Sequence, residues 1–347
     1  AFQFAIAKRP GKALRWRGAS DDCIYMNSQE ARTIGAVDIG GTKIAVGIVD
    51  EAGKVLASDE CPTDQASGFG SAVERIERMM RGCGQRAAAS IDGIGIGCTG
   101  PVYPHSGEIG EVEFLKTWKG ANLIEAFESR FGVGVALEND ADAATLGEAF
   151  WGAGRGKARM LYVTVGTGIG VGIVLRGQLY RGVDDFHPEI GHQVIDATGP
   201  QCYCGATGCW EVLARGPAMT EWMEAHASTE AAGLNLSAKT ICEMAVAGHP
   251  LAKTAVDREA HYLGLGLANL VIIFCPDVIV LGGSVMASLP LFIDGIREEI
   301  RRNCGLVPFE RTEIRLSSLG PQAAIVGAAR TWHHRFVEKG VSSVAQS

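Results

Sequence analysis

Short apolar runs broken by glycine alternate along this 347-residue chain with longer stretches whose apolar positions recur at helical spacing. Residues 34–50 read IGAVDIGGTKIAVGIVD, an apolar strand, a glycine turn and a second apolar strand. Residues 161–175 read LYVTVGTGIGVGIVL, the same plan further along. Each pair is followed by a turn and a third short strand, predicted over 54–58 (KVLAS) and 178–180 (QLY). Such runs, bounded by turn residues, are what strands buried on both faces require. Two copies of one unit point to internal duplication.

Between the copies, Val73, Ile76, Met79 and Met80 recur at helical spacing, which predicts an amphipathic helix over 71–85. The pattern then predicts a buried strand over 91–97, a helix over 122–131, a strand over 133–137 and a helix opening near Asp140. Farther on, a helix over 255–274 is stopped by Pro276, and a strand over 278–281 runs into Gly282 and Gly283. A last helix, 323–336, follows Gly320 and Pro321. Duplicated strand–strand–strand–helix units predict an α/β protein of the actin-like (ribonuclease H-like) ATPase type, with two α/β domains around an interdomain cleft. The expected division is 33–140 plus 321–340 for the smaller domain and 141–320 for the larger.

Composition adds exclusions. With 47% hydrophobic and 20% charged residues the chain reads as an ordinary globular protein. A net charge of −7 leaves no basic excess for a general nucleic-acid surface. The uncharged run 160–175 is shorter than the roughly 20 residues of a membrane span and is interrupted by Gly166, Gly168, Gly170 and Gly172. Ten cysteines without a pairing pattern, in a chain of this size, point to reduced thiols and a cytoplasmic setting. Residues 1–32 are expected to form a disordered extension, native or foreign. Lys8, Arg9, Lys12, Arg15 and Arg17 follow its apolar stretch, the reverse of a secretory signal, and Met26 would make a natural start.

Chemistry concentrates at a few places. Asp38, Gly40, Gly41, Thr42 and Lys43 lie at the first turn, where glycines let backbone N–H groups approach phosphate oxygens and Asp38 could hold Mg²⁺. Gly166, Thr167 and Gly168 lie at the equivalent turn of the second copy, so two loops could cradle one polyphosphate. Gly282 and Gly283 are a less specific candidate for the adenosine end. Glu138, Asn139 and Asp140 end a strand and open a helix: either Asn139 or Asp140 simply caps it, or Asp140 is a general base while Asn139 holds a neighbouring hydroxyl. His192, Cys202, Cys204 and Cys209 offer the N/S ligands of a closed tetrahedral zinc site, the alternative being buried thiols. Glu189 and Glu211 flank that cluster.

Taken in order, DIGGTK, TGPV, END, GTGIG, EIGH, CYCGATGCWE and LGG resemble the signature set of the ROK family of sugar kinases and related repressors, over about residues 35–330. The resemblance implies an ATP- and Mg²⁺-dependent hexose kinase with structural Zn²⁺, homo-oligomeric as a dimer or tetramer. It places Asp140 as the base, Gly100 in a loop against the sugar, and Asn139, Glu189, His192 and Glu211 on sugar hydroxyls. Asp142 stands where many relatives have a second Asn, and is expected to be an inert control for Asp140. Glucose, phosphorylated to glucose 6-phosphate, is the first expectation, then N-acetylglucosamine or N-acetylmannosamine, then fructose. Two departures bear on that order: His187-Pro188 resembles the HPE segment of fructokinase-like members, and Phe114 stands near a common Asn. Repressors of the family carry a helix-turn-helix, for which the residues before the first strand are expected to leave no room.

Overall fold

A computed structural model describes residues 32–227 and 236–338; apart from Arg32, the expected extension lies outside them. The first glycine-broken pair forms β1 (Thr33–Ile39) and β2 (Lys43–Asp50), followed by β3 (Val55–Pro62), α1 (Gly68–Ala87), β4 (Gly93–Cys98), α2 (Leu123–Phe131) and β5 (Val135–Asn139). After α3 (Asp140–Phe150) the second pair forms β6 (Arg159–Val165) and β7 (Ile169–Leu175), followed by β8 (Gln178–Leu179). Helices α4 (Trp210–Ala214), α5 (Gly216–His226), α6 (Ala238–Val246) and α7 (Pro250–Phe274) precede β9 (Val278–Gly282), α8 (Leu289–Asn303), β10 (Glu313–Leu316) and α9 (Ala323–His333).

The duplication is visible in the strand order. One sheet runs β3-β2-β1-β4-β5 and the other β10-β9-β6-β7-β8, which is the first order read backwards with each strand replaced by its counterpart. In both, the paired strands of the glycine turn are antiparallel and the next two strands join parallel. That is the actin-like plan.

Each sheet is covered on both faces, which is why β1, β2, β4, β5, β6 and β9 are almost uniformly apolar. Val73, Ile76, Met80 and Cys83 of α1 and Phe127 of α2 cover one face of the first sheet with Ile44, Ile48, Ile94 and Leu137. Ile325, Ala328 and Trp332 of α9 cover its other face. Gly95 permits this: a Cβ there would lie 1.8 Å from the Ala328 carbonyl oxygen. Helices α4 to α8 cover one face of the second sheet, and Ala144 of α3 packs on the other. Helix α3 therefore lies against α9, and at their crossing a Cβ on Gly147 would be 2.9 Å from the Gly327 Cα. The base candidate, first residue of α3, is carried by a helix that touches both sheets. Among the described residues no helix is long and apolar enough to cross a membrane.

One buried group strains this frame. Glu259 of α7 is fully buried and both of its carboxylate oxygens lack a hydrogen-bond partner among the described residues. Burial pushes its pKa well above the usual carboxylate range, with Arg258 pulling the other way. The folded state therefore binds a proton that the unfolded chain releases near pH 4.5, so stability falls as pH rises from there through the folded value. Glu259→Gln should raise the melting temperature at pH 8 and flatten its decline between about pH 5 and 8. Parallel wild-type and variant melting curves across that range would contradict it.

Candidate active site

Strands β1, β4 and β5 are parallel and their C-terminal ends lie side by side, with Asp38, Gly97 and Glu138 in register. Ligands of open α/β sheets gather at that edge. Gly97 has no side chain to fill the space: a Cβ would be 3.5 Å from the Asp140 Cα and 3.9 Å from Asp38 Oδ1. Asp38 and the start of α3 thus face each other across it. Burial, then the facing Asp140 carboxylate, push the Asp38 carboxyl up to about 7, against the pull of Lys43. Two acids held this close favour a cation between them.

The first turn is tied internally. Gly40 N–H donates to the Lys43 carbonyl at 2.9 Å, and the Thr63 hydroxyl donates to the Gly40 carbonyl at 2.7 Å. Gly41 lies under Phe114, whose Cβ would be 2.7 Å from a Cβ at that position. Thr42 and Lys43 are exposed, and Lys43 pairs with Glu60 at 2.9 Å. An exposed pair of this kind is worth at most about 1 kcal/mol, so Lys43 can leave it for a stronger anion. In the second turn Gly166 N–H donates to the Gly168 carbonyl at 2.9 Å, and Gly216 N–H at the start of α5 donates to the Gly166 carbonyl at 2.8 Å. Thr167 is exposed at its tip. Gly282 ends β9, and Gly283, at φ +88°, backs onto the Val165 backbone where no Cβ would fit. The second and third glycine turns are therefore neighbours. Gly100, at φ +80°, packs on Val112 in the loop that also carries Phe114.

The cap question has a definite answer. Asn139 Oδ1 accepts from Ala141 N–H at 2.9 Å and from Asp142 N–H at 3.4 Å, so Asn139 is the cap of α3. Asp140 Oδ1 accepts from Ala141 N–H at 2.8 Å. Burial raises the Asp140 pKa above the usual carboxylate range; the Ala141 N–H and His187 oppose this, and Glu189 and Asp142 add to it.

Glu211, near the start of α4, is buried, and its Oε2 accepts from Ile169 N–H at 2.8 Å, beside Gly168. One carboxylate thus touches both the second glycine turn and, at 4.0 Å, the His192 Nε2. His192 Nδ1 faces Cys202 Sγ at 3.5 Å, Cys204 Sγ lies 3.6 Å from Cys209 Sγ, and all four ligand atoms fall within 4.8 Å of one another. A tetrahedral ion with Zn–S bonds of ~2.3 Å needs sulfur–sulfur edges of about 3.8 Å, so the donor set fits a metal ion. A disulfide would need ~2.05 Å, and every described cysteine is free. Glu189 is exposed at the entrance of a short helical turn, Ile190–His192, where it acts electrostatically on Asp140.

Sequence reasoning missed two participants, Tyr203 and Arg181, and noted a third, His187, only as a departure bearing on the sugar. Tyr203, between the first two cysteines, puts its hydroxyl 3.1 Å from His192 Nε2. Arg181 bridges Glu138 and Asp142. His187 Nδ1 lies 2.8 Å from the same Asp142 oxygen. Asp142 is accordingly no inert neighbour of Asp140: it is fully buried and one of its oxygens meets both Arg181 and the His187 ring, so its replacement disturbs the site. No local pattern announces pairs 39 and 45 residues apart, although the acid beside END was a visible departure.

With the geometry in place, comparison with known proteins is specific. The ROK family model matches residues 34–335. A glucokinase of Streptomyces coelicolor is 34% identical over 314 residues, covering 86% of this chain and 96% of the relative. The crystal structure of a ROK family glucokinase from Streptomyces griseus in complex with glucose and AMPPNP superposes with a TM-score of 0.75 at 32% identity, over 86% of this chain and 98% of that one. The xylose repressor of Bacillus subtilis is 32% identical over 210 residues, 60% of this chain and 53% of the repressor. By the extent of the family match and the near-complete coverage of its relatives, this chain belongs to the ROK family.

Proposed function

We propose that this protein is an ATP-dependent hexose kinase that transfers the γ-phosphoryl group to a sugar hydroxyl, with the 6-hydroxyl of glucose first among candidates. The observation that carries the reading is the position of Asp140 at the start of α3, relieved of the cap by Asn139 and opposite Asp38 across Gly97, while the next residue, Ala141, packs on Gly170 of the strand that leaves the glycine turn touching Glu211. Phosphoryl transfer needs in-line positioning, charge neutralisation and a base near the nucleophile, and little else from the protein. Asp140 takes the hydroxyl proton. Asn139, whose oxygen is spent on the cap, has its amide N–H groups for a neighbouring hydroxyl. Glu189, His192 and Glu211 grip the rest of the sugar, beside the Gly100 loop. Gly40, Gly41, Thr42, Lys43, Gly166, Thr167 and Gly168 receive the phosphates, and Gly282 and Gly283 the adenosine end.

Two ions complete the reading. Asp38 would hold Mg²⁺, which supplies charge neutralisation on the phosphates. His192, Cys202, Cys204 and Cys209 would hold Zn²⁺ in a structural role; ligation through His192 Nδ1 leaves the Nε2 proton facing Tyr203 and the sugar side. We further assign residues 33–140 plus 321–340 and 141–320 to two lobes that close on ligand, in a cytoplasmic homo-oligomer.

The glucokinase relatives and the glucose complex of the Streptomyces griseus protein favour glucose. His187 does not argue for fructose, because its Nδ1 is committed to Asp142. A regulator is the second reading, motivated by the xylose repressor match. Retention of the acids Asp38 and Asp140 at the strand ends favours catalysis over it. ADP release should be measured with glucose, N-acetylglucosamine, N-acetylmannosamine and fructose. Glucose should give the highest kcat/KM; a higher value for another sugar would reassign the substrate, and sugar binding without any ADP release would favour the regulator.

A further inference from the structure

Ten residues, 180–189, separate β8 from the helical turn of the EIGH motif, and they have little structure of their own. Only a short helical turn, Val183–Asp185, interrupts them, with Asp184 and Asp185 at φ values of 53° and 59°. Val183 at its tip is 81% exposed. Yet the segment ends in Glu189, which in the reading above must hold a sugar hydroxyl at a fixed distance from Asp140. Its middle is held by Asp185, 2.6 Å from His105 Nε2, and by Phe186 edge-on to Tyr103; what holds its two ends is visible on α3. Arg181 and His187, near the two ends of the segment, both donate to Oδ2 of Asp142, which lies two residues beyond the base. Both side chains are largely buried and Asp142 is fully so.

We infer that Arg181 and His187 are positioning residues that clamp the 181–189 segment to Asp142 and thereby register Glu189, the sugar contact, against Asp140, the base. This rests on the hexose-kinase reading. The charges support a protonated clamp. From β5 and α3, Glu138, Asp140 and Asp142 face the cluster; from the segment itself come Arg181 and Glu189. Asp142 Oδ2 meets both the Arg181 guanidinium and the His187 ring, so an imidazolium at His187 gives this buried carboxylate a second charged partner. His105, Asp185, His334 and Arg335 lie around the outer side of Arg181 and Glu138. Burial alone would lower the His187 pKa, but Asp142, with Glu189 and Asp140 behind it, raises it overall. A raised histidine pKa means that the charged clamp is complete below about pH 6.5 and is lost as pH rises through the folded value. The sugar KM should therefore rise toward alkaline pH.

The test is steady-state kinetics from pH 6 to 9 on wild type and His187→Gln, which keeps an N–H donor and removes the titrating charge. At pH 6 the variant should show a sugar KM raised roughly threefold to tenfold, the difference between a charge-assisted hydrogen bond and the neutral one that Gln retains. Its KM should then stay flat with pH while the wild-type value climbs toward it, with kcat changing less than KM. Arg181→Gln should raise KM at every pH. A His187→Gln enzyme with wild-type KM and wild-type pH profile would overturn the clamp. So would a KM loss that is the same at all pH values, since that is what a merely structural role predicts. Histidine NMR of the free protein gives a readout independent of turnover: the His187 titration should lie above 6.5 in wild type and move down in Asp142→Asn. If it does not move, the clamp is wrong. If it moves while wild type transfers no phosphoryl group to any hexose, the hexose-kinase reading fails instead, and with it the role given to Glu189.

Discussion

Asp140→Asn should lower kcat roughly 10²- to 10⁴-fold at saturating sugar and Mg-ATP, the usual range for loss of a general base. Sugar affinity should change far less, because Asn139, Glu189, His192 and Glu211 keep their places. The geometry makes this substitution clean. The cap of α3 is Asn139, so the helix start does not depend on the Asp140 carboxylate. Asn can accept from Ala141 N–H as Asp140 does, and only the proton acceptor is lost. Burial, which raises the Asp140 pKa, brings the base closer to its working pH and so raises its basicity. Turnover of the variant near the wild-type value would remove Asp140 from the chemistry. Asp142→Asn is not a neutral control: its loss should be read through Arg181 and His187, mainly as a change in sugar KM.

The second large effect concerns the four-residue N/S cluster. Elemental analysis should find about one zinc per chain, and Cys209→Ser should lower both that content and the melting temperature, on the order of 10 °C, because metal binding at such sites is folding free energy. Cys209 is the informative position. It is buried, it opens α4, and the next residue, Trp210, is fully buried in the core of the second sheet. Glu211 follows on the same helix. Loss of the clip should thus reach the sugar side of the site as well as stability. A metal-free wild-type protein with full activity would contradict the zinc assignment.

Strands buried on both faces were legible because they must be apolar throughout, and the two glycine turns repeat the same word. The edge was harder. β3 runs to Pro62, past the predicted end at residue 58, because among the described residues it is an edge strand paired with β2, and its exposed Asp59 and Glu60 break the apolar run. Helix α7 starts five residues before the predicted 255, since Pro250 occupies a first-turn position and the His249 ring caps it. The last helix stops at His333 and continues as a wider turn, His334–Glu338. At the site, residues inside compact motifs were found and long-range partners were not. Asp38, Asp140 and the Cys/His cluster sit in short signatures. The Asp142 clamp joins an acid to Arg181 and His187 across β6, β7 and β8, and only folding brings them together.

The central claim is phosphoryl transfer from ATP to a hexose, and ³¹P NMR of the reaction tests it most directly. Wild-type protein with glucose, ATP and Mg²⁺ should yield ADP and glucose 6-phosphate in equal amounts, and Asp140→Asn should form neither at a comparable rate. Consumption of ATP to inorganic phosphate without a sugar ester, or no reaction with glucose, N-acetylhexosamines or fructose, would contradict it.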